Sequence, residues 1–238
     1  MPGRKARAEA NSSDLLRDSW ENLGVAFAIN ESGTKNADPE QTLLASLCEF
    51  QDDRKLLKLA LAWLGEYGDL VHVERIKALA AERSAVELAW LGGIARHQTE
   101  GVHSRADRRW HTVAEMVRKR LGVPCPRFQT SQLDELLARK NGADQGFQPY
   151  GLTIPGADPA DPKKLYLRPH AIQGNLWLRM RALFGTNWRA DVATVMLLGR
   201  AKTSYQAEKL LGCSTETAYR NWNALKEADL LTMLKQVA

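Results

Sequence analysis

The residues with the most chemistry to offer stand close together near the carboxy-terminal end. They are Lys202, Ser204, Lys209, Ser214, Thr215, Glu216, Thr217, Tyr219, Arg220 and Asn223. Such a set has no covalent chemistry to perform. Its hydroxyls and amide hydrogen-bond and its cations neutralise phosphate, whereas Glu216 would repel phosphate, though it could accept a hydrogen bond from cytosine. Arg189 and Arg200 lie nearby and add to the cationic character. Between Lys163 and Arg220 there are ten Lys or Arg against the three acids Asp191, Glu208 and Glu216, whereas acids outnumber bases between Glu40 and Glu100. The chain's net charge of +5 is thus concentrated towards one end, with a second basic cluster at Arg105, Arg108, Arg109, Arg118, Lys119 and Arg120. A basic face of this kind points to a polyanionic partner.

Other reactive types are scattered. The three cysteines, Cys48, Cys125 and Cys213, form no CxxC pair, so neither a zinc ribbon nor a redox motif is expected, and Cys48 and Cys213 read as buried structural thiols. His97, His103 and His111 gather without the spacing of a metal pair and read as surface or capping residues; no metal and no cofactor is expected. An arginine separated from a histidine by five or six residues occurs twice, as Arg105 with His111 and as Arg96 with His103. That pattern resembles the motif of HEPN-type RNases, a helical family that prefers a polar residue right after the arginine. His97 meets the preference, Ala106 does not, and Gly101 interrupts the helix between Arg96 and His103. No Gly-rich phosphate loop, GxSxG elbow or pair of carboxylates is visible, so a binding protein is expected rather than an enzyme.

These groups need helices to hold them. Ser13 can cap a helix carrying Leu16, Trp20, Leu23 and Phe27; residues 1–39 are then a basic tail and a short helix. From 40 to 140 apolar residues recur at helical spacing in successive segments. They include Leu43 to Phe50, Leu56 to Leu64, Val73 to Ala80 after a cap at Asp69, and Val86 to Ile94 after a cap at Ser84. A further helix runs from about Asp107 to Leu121, stopped by Gly122 to Pro126, and Ser131 starts one with Leu133, Leu136 and Leu137. Trp90, Leu91 and the glycine pair beside them read as core or interface, and the whole reads as an effector or dimerisation domain able to meet a protein partner. Residues 141–171 form a Pro/Gly-containing connection, draped or mobile, with Lys164 to Leu167 as an isolated strand. No apolar run is long enough to span a bilayer, and no secretory signal core follows the basic start, so a cytoplasmic, non-membrane protein is expected.

Helical periodicity returns in 172–238, first over Ile172 to Phe184. Thr186 or Asn187 caps a helix from Trp188 to Leu198. Thr203 caps Ser204 to Leu211, with Gln206 completing a capping box, and Gly212 ends it. Ser214 caps Thr215 to Ala228, whose buried face is Ala218, Trp222 and Leu225. The small Ala207 and the flexible Gly212 stand where two helices crossing over a short turn require them.

The stretch Ala207 to Leu231 resembles the core of winged helix-turn-helix repressors of the MarR and ArsR kind. Its Leu211-Gly212-Cys213-Ser214, Thr217-Ala218-Tyr219-Arg220 and Ala228-Asp229-Leu230 match that pattern without gaps. The resemblance covers about 25 residues closely and about 55 once Phe184-Gly185 and the helix before it are included. It implies duplex DNA as partner, a homodimer, and the third helix in the major groove. Asp229 stands where the pattern has Gly, although Asp tolerates a left-handed cap. Leu230 to Leu234 leaves room for one strand at most, so the wing is absent or reduced.

The expectation is an all-α protein with little or no strand, built as an amino-terminal multi-helix domain and a carboxy-terminal helix-turn-helix that regulates transcription. Two other readings follow from the same residues. One is an antitoxin-like or replication accessory adaptor that docks protein through the same fold; the other is the HEPN-like RNase.

Overall fold

The computed structural model describes residues 14–27, 35–100, 107–229 and 232. Among them the regular elements are helical, and extended backbone pairs only in two isolated antiparallel bridges, Val25 with Leu165 and Ala143 with Pro155. The all-α class holds. Lys164 to Leu167 makes one of these bridges instead of a strand of its own.

The first unit contains α1 (14–22), α2 (Pro39–Ser46), α3 (Arg54–Tyr67), α4 (Val73–Leu79), α5 (Ala85–Glu100), α6 (His111–Leu121), α7 (Gln132–Asn141) and α8 (Arg168–Gly174). Helix α3 forms because Asp53 accepts from Leu56 N at 2.9 Å and Leu57, Ala60, Trp63 and Leu64 recur on a buried face. Helix α5 opens on a reciprocal cap: the Ser84 amide donates to Glu87 Oε2 at 2.9 Å, and Ser84 Oγ receives the Glu87 amide at 3.4 Å. Asp69 does not cap α4; it lies in a 3-10 turn, and His72 precedes the helix. The core holds Trp20, Trp63, Trp90 and Trp110 at 0–1% exposure, with Trp20 edge-on to Trp63. Two of the buried indole N–H groups find acceptors, Trp20 Nε1 donating to Ser46 Oγ and Trp63 Nε1 to Leu23 O, each at 2.8 Å, whereas Trp110 Nε1 has none. Ser13, the cap expected for α1, lies outside the described residues.

The stretch 141–171 packs into this core. Phe147, Tyr150, Leu152, Ile154 and Ala157 are all buried in it. The glycine pair of α5 makes the room, since a Cβ on Gly92 would overlap the Tyr150 ring and one on Gly93 the Phe147 ring. Asp144 pins the loop from inside by accepting from Gly146 N at 2.8 Å, Ala157 N at 2.7 Å and His97 Nε2 at 3.0 Å. His97 is therefore a buried partner of a carboxylate, and not the surface residue its neighbourhood suggests. Cys48 corrects a second expectation. It is exposed, because Leu47 and Phe50 take the inward positions of that turn, while Cys213 is buried as expected.

The second unit contains α9 (Leu176–Phe184), α10 (Trp188–Leu197), α11 (Ser204–Leu211) and α12 (Thr215–Glu227). The run Ile172 to Phe184 is not one helix. Asn175 breaks it with an extended backbone and caps α9 by accepting from Leu178 N at 3.2 Å. Its amide Nδ2 donates to Ala37 O at 2.9 Å and Asn22 Oδ1 at 2.8 Å, tying the break to the first unit. Trp177, Met180, Ala193, Val195, Ala207, Leu211, Ala218, Trp222 and Leu225 make a second core.

A buried ionic network lies between the two cores. Arg75 of α4 is bidentate to Asp38 at 2.8 and 2.5 Å and donates to Glu40 Oε2 at 2.9 Å. Arg181 of α9 is bidentate to the same Glu40 at 2.7 and 2.6 Å and donates to Asp191 Oδ1 of α10 from Nε at 2.9 Å. His72 Nδ1 donates to Asp191 Oδ2 at 2.6 Å, and its ring lies edge-on to Trp188. Both guanidinium groups rest on the Trp177 ring, at 4.5 Å for Arg75 and 5.5 Å for Arg181. Ionic groups withdrawn from water need partners of this kind, and of the two guanidinium groups Arg75 keeps one nitrogen, Nε, without a hydrogen bond.

Candidate nucleic-acid interface

The surface of interest is built by α10, α11 and α12. Asn187, one of the two expected caps, starts α10 by accepting from Arg189 N at 2.9 Å and Ala190 N at 3.2 Å. Thr186 instead donates its hydroxyl to Asp69 O at 2.6 Å, fastening this corner to the first unit. Thr203 caps α11 through Gln206 N at 3.2 Å. The Gln206 side chain reaches back to Lys202 N at 2.7 Å, one residue earlier than a capping box would place it. Gly212 ends α11 in the left-handed region, with φ 73° and ψ 20°. Its Cα side faces α4, where an added Cβ would lie 3.5 Å from Ala78 Cβ.

Ser214 caps α12 by accepting from Thr217 N at 3.2 Å, and its hydroxyl donates to Thr217 Oγ1 at 2.9 Å. Two of the sequence candidates are thus occupied in holding the helix start. Ala218, Trp222 and Leu225 are buried, as the spacing predicts, and Asn221 joins them by donating to Thr217 O at 2.9 Å. At the end of α12 Asp229 takes φ 45°, the left-handed corner that the resemblance assigns to Gly. The wing expected over Leu230 to Leu234 falls largely outside the described residues.

Thr215, Glu216, Tyr219 and Arg220 are exposed on the first turns of α12, as are Lys202 and Lys209 around α11. Ser204, Thr217 and Asn223 are half-buried. Lys209 pairs with Glu208 at 3.3 Å and lies 5.3 Å from the centre of the Tyr205 ring. Arg189 and Arg220 come together at a cleft of about 330 Å³, lined also by Phe184, Trp188 and Thr217. Arg200 points elsewhere: its guanidinium donates to Asn36 O at 3.3 Å in the first unit.

Electrostatics are set behind this surface. Burial pushes the Asp191 carboxyl up, but Arg181 and His72 outweigh it and hold the group at about 2. Burial opposes the charge on Arg181, and Asp191 with Glu40 reverse that effect, so its guanidinium is raised. Asp38 is raised, burial outweighing the pull of Arg75. None of these residues stood out in the sequence. Their signal is weak but present: Asp191 is the lone acid among Ala190, Val192, Ala193 and Val195, and Arg181 follows Leu178 and Met180 on an apolar helix.

Among the described residues the catalytic alternative gains no assembled site. His103 and Arg105 lie outside the described residues, Arg96 pairs with Glu100, and His111 is exposed opposite Glu115 at 3.9 Å. Among the described residues no group of three or more His, Cys, Asp or Glu is placed to hold a metal ion, and no helix is long and apolar enough to cross a membrane. No family model, curated protein or solved structure matches this chain.

Proposed function

We propose that this protein binds duplex DNA through α11 and α12 and regulates transcription as a homodimer. One observation carries the reading. Helix α12 buries Ala218, Trp222 and Leu225 while holding Thr215, Glu216, Tyr219 and Arg220 exposed on its first two turns. A recognition helix needs that division, with its amino-terminal turns free to enter a groove about 12 Å wide. Exposed Lys202, Lys209 and Arg189 flank it as phosphate contacts, and Arg220 is the candidate for a base edge. One such unit makes few groove contacts, so two copies reading half-sites about one helical turn apart are required for useful affinity.

A second reading has its own observation. Tyr205, Leu210 and Tyr219 are 63%, 40% and 60% exposed on the same two helices, an apolar content suited to docking a protein. Fluorescence anisotropy with labelled duplex at increasing salt separates the two. Phosphate neutralisation gives an affinity that falls steeply with salt, log K changing by about −0.9 per phosphate contact against log salt. Absence of binding at low salt removes the DNA reading and leaves the docking one.

A further inference from the structure

Helix α7 is inside out. Its sequence, Gln132-Leu133-Asp134-Glu135-Leu136-Leu137-Ala138-Arg139-Lys140-Asn141, offers three leucines, yet the body of the protein buries Asp134 and Ala138. Asp134 faces Arg54 Nε at 3.4 Å, while Leu133 and Leu136 are 65% and 61% exposed and Leu137 is half-buried. Exposing leucines at this spacing forgoes the free energy that their burial would return, and leaves an apolar stripe open to a partner.

We propose that α7 is a self-association surface on which a second copy of this chain packs its own α7 antiparallel. This deepens the homodimer proposed above by naming the contact that holds it. The charge pattern selects the occupant. Acidic Glu135 lies in the first half of the helix, and Arg139 and Lys140 lie in its last turn. At a residue spacing of about 100° each, Glu135 and Arg139 fall on one flank of Leu136, and Leu133 and Lys140 on the other. A twofold axis across the helix keeps each flank facing the same flank and reverses its direction. With the axis at the level of Leu137, midway between Glu135 and Arg139, Glu135 of each copy meets Arg139 of the other, the two Leu136 side chains pack on either side of the axis, and each Leu133 lies along a Lys140 stem. Parallel pairing would oppose like charges instead. Among the described residues Glu135 and Arg139 form no ion pair within the chain, so both are available.

A ten-residue helix covers well under the roughly 800 Å² per partner of a standard interface. The pairing is therefore weak and concentration-dependent in free protein, and becomes effective when two half-sites hold the copies side by side.

Sedimentation velocity of the full chain without DNA, over a concentration series, tests this apart from any DNA reading. The wild type shows a reversible monomer–dimer equilibrium. Leu133→Asp with Leu136→Asp remains monomeric throughout with an unchanged circular dichroism spectrum, since both side chains are exposed in the monomer. Glu135→Lys weakens the dimer by about tenfold, and adding Arg139→Glu restores it. A wild type that stays monomeric at every concentration overturns the proposal and gives α7 to a different protein. A dimer unmoved by these substitutions also overturns it, while leaving the homodimer itself standing on another surface.

Discussion

Glu40 and Arg181, 141 residues apart, form a fully buried bidentate pair, with Oε1 to Nη1 at 2.7 Å and Oε2 to Nη2 at 2.6 Å. The pair joins α2 to α9 and so ties the placement of the second unit's helices to the first unit.

Breaking that pair is predicted to be expensive. Arg181→Met leaves Glu40 and Asp191 buried without their main partner, a loss of about 3–5 kcal/mol. Chemical denaturation of the variant measures it. The double variant with Glu40→Gln is expected to lose less than the sum of the two singles, because the second change removes a charge the first left stranded. Strict additivity would mean the two side chains do not depend on each other.

Acid stability carries a second signature. Asp144 is held at about 2 against an ordinary 3.8; burial pushes it up, and His97 with the Ala157 and Gly146 amides prevail. A depressed carboxyl contributes stability that is full above its unfolded value and is lost as pH falls through its folded value. The stability difference between wild type and Asp144→Asn is therefore constant above the ordinary 3.8 and shrinks between there and about 2. Urea unfolding at a series of pH values checks this, and a difference independent of pH across that window contradicts it.

Two substitutions two residues apart on α12, on opposite faces of the helix, are predicted to part company. Trp222 is 8% exposed in the second core, so Trp222→Ala costs about 3–5 kcal/mol of stability. Arg220→Ala leaves the melting temperature near that of the wild type and costs about 1–3 kcal/mol of DNA affinity. Thermal melts and anisotropy on the same two preparations compare them.

The turn between α11 and α12 gives a fourth test. Gly212 has φ 73°, and the space beside it admits an ordinary contact at 3.5 Å, so Gly212→Ala is opposed by backbone conformation and not by a clash. A loss of about 1 kcal/mol is expected in denaturation. A loss several times larger would place a steric conflict with Ala78 at the turn.

The helices were legible because their signals are local. Ser84, Ser131, Asn187, Thr203 and Ser214 all cap where their residue types and the apolar periods around them say they should. Asn175 was not, since its capping role competes with a continuous apolar period on both sides. The 141–171 stretch hid its packing because Phe147, Tyr150, Leu152 and Ile154 are buried from turns and extended backbone, which leave no helical repeat. The division of α12 into an exposed and a buried face was readable residue by residue, whereas the network behind it was not. Asp38, Glu40, His72, Arg75, Arg181 and Asp191 come from four separate stretches of the chain, and only the fold makes them neighbours.

Selection from a random duplex pool, run in parallel with wild type and Arg220→Ala, tests the central claim most directly. Salt-sensitive enrichment of two half-sites about 10 base pairs apart, with the Arg220→Ala pool relaxed at one base in each half, is the predicted result. A wild-type pool that gains no sequence preference, or an Arg220→Ala pool with the same preference and affinity, contradicts the assignment of α12 as the reading helix.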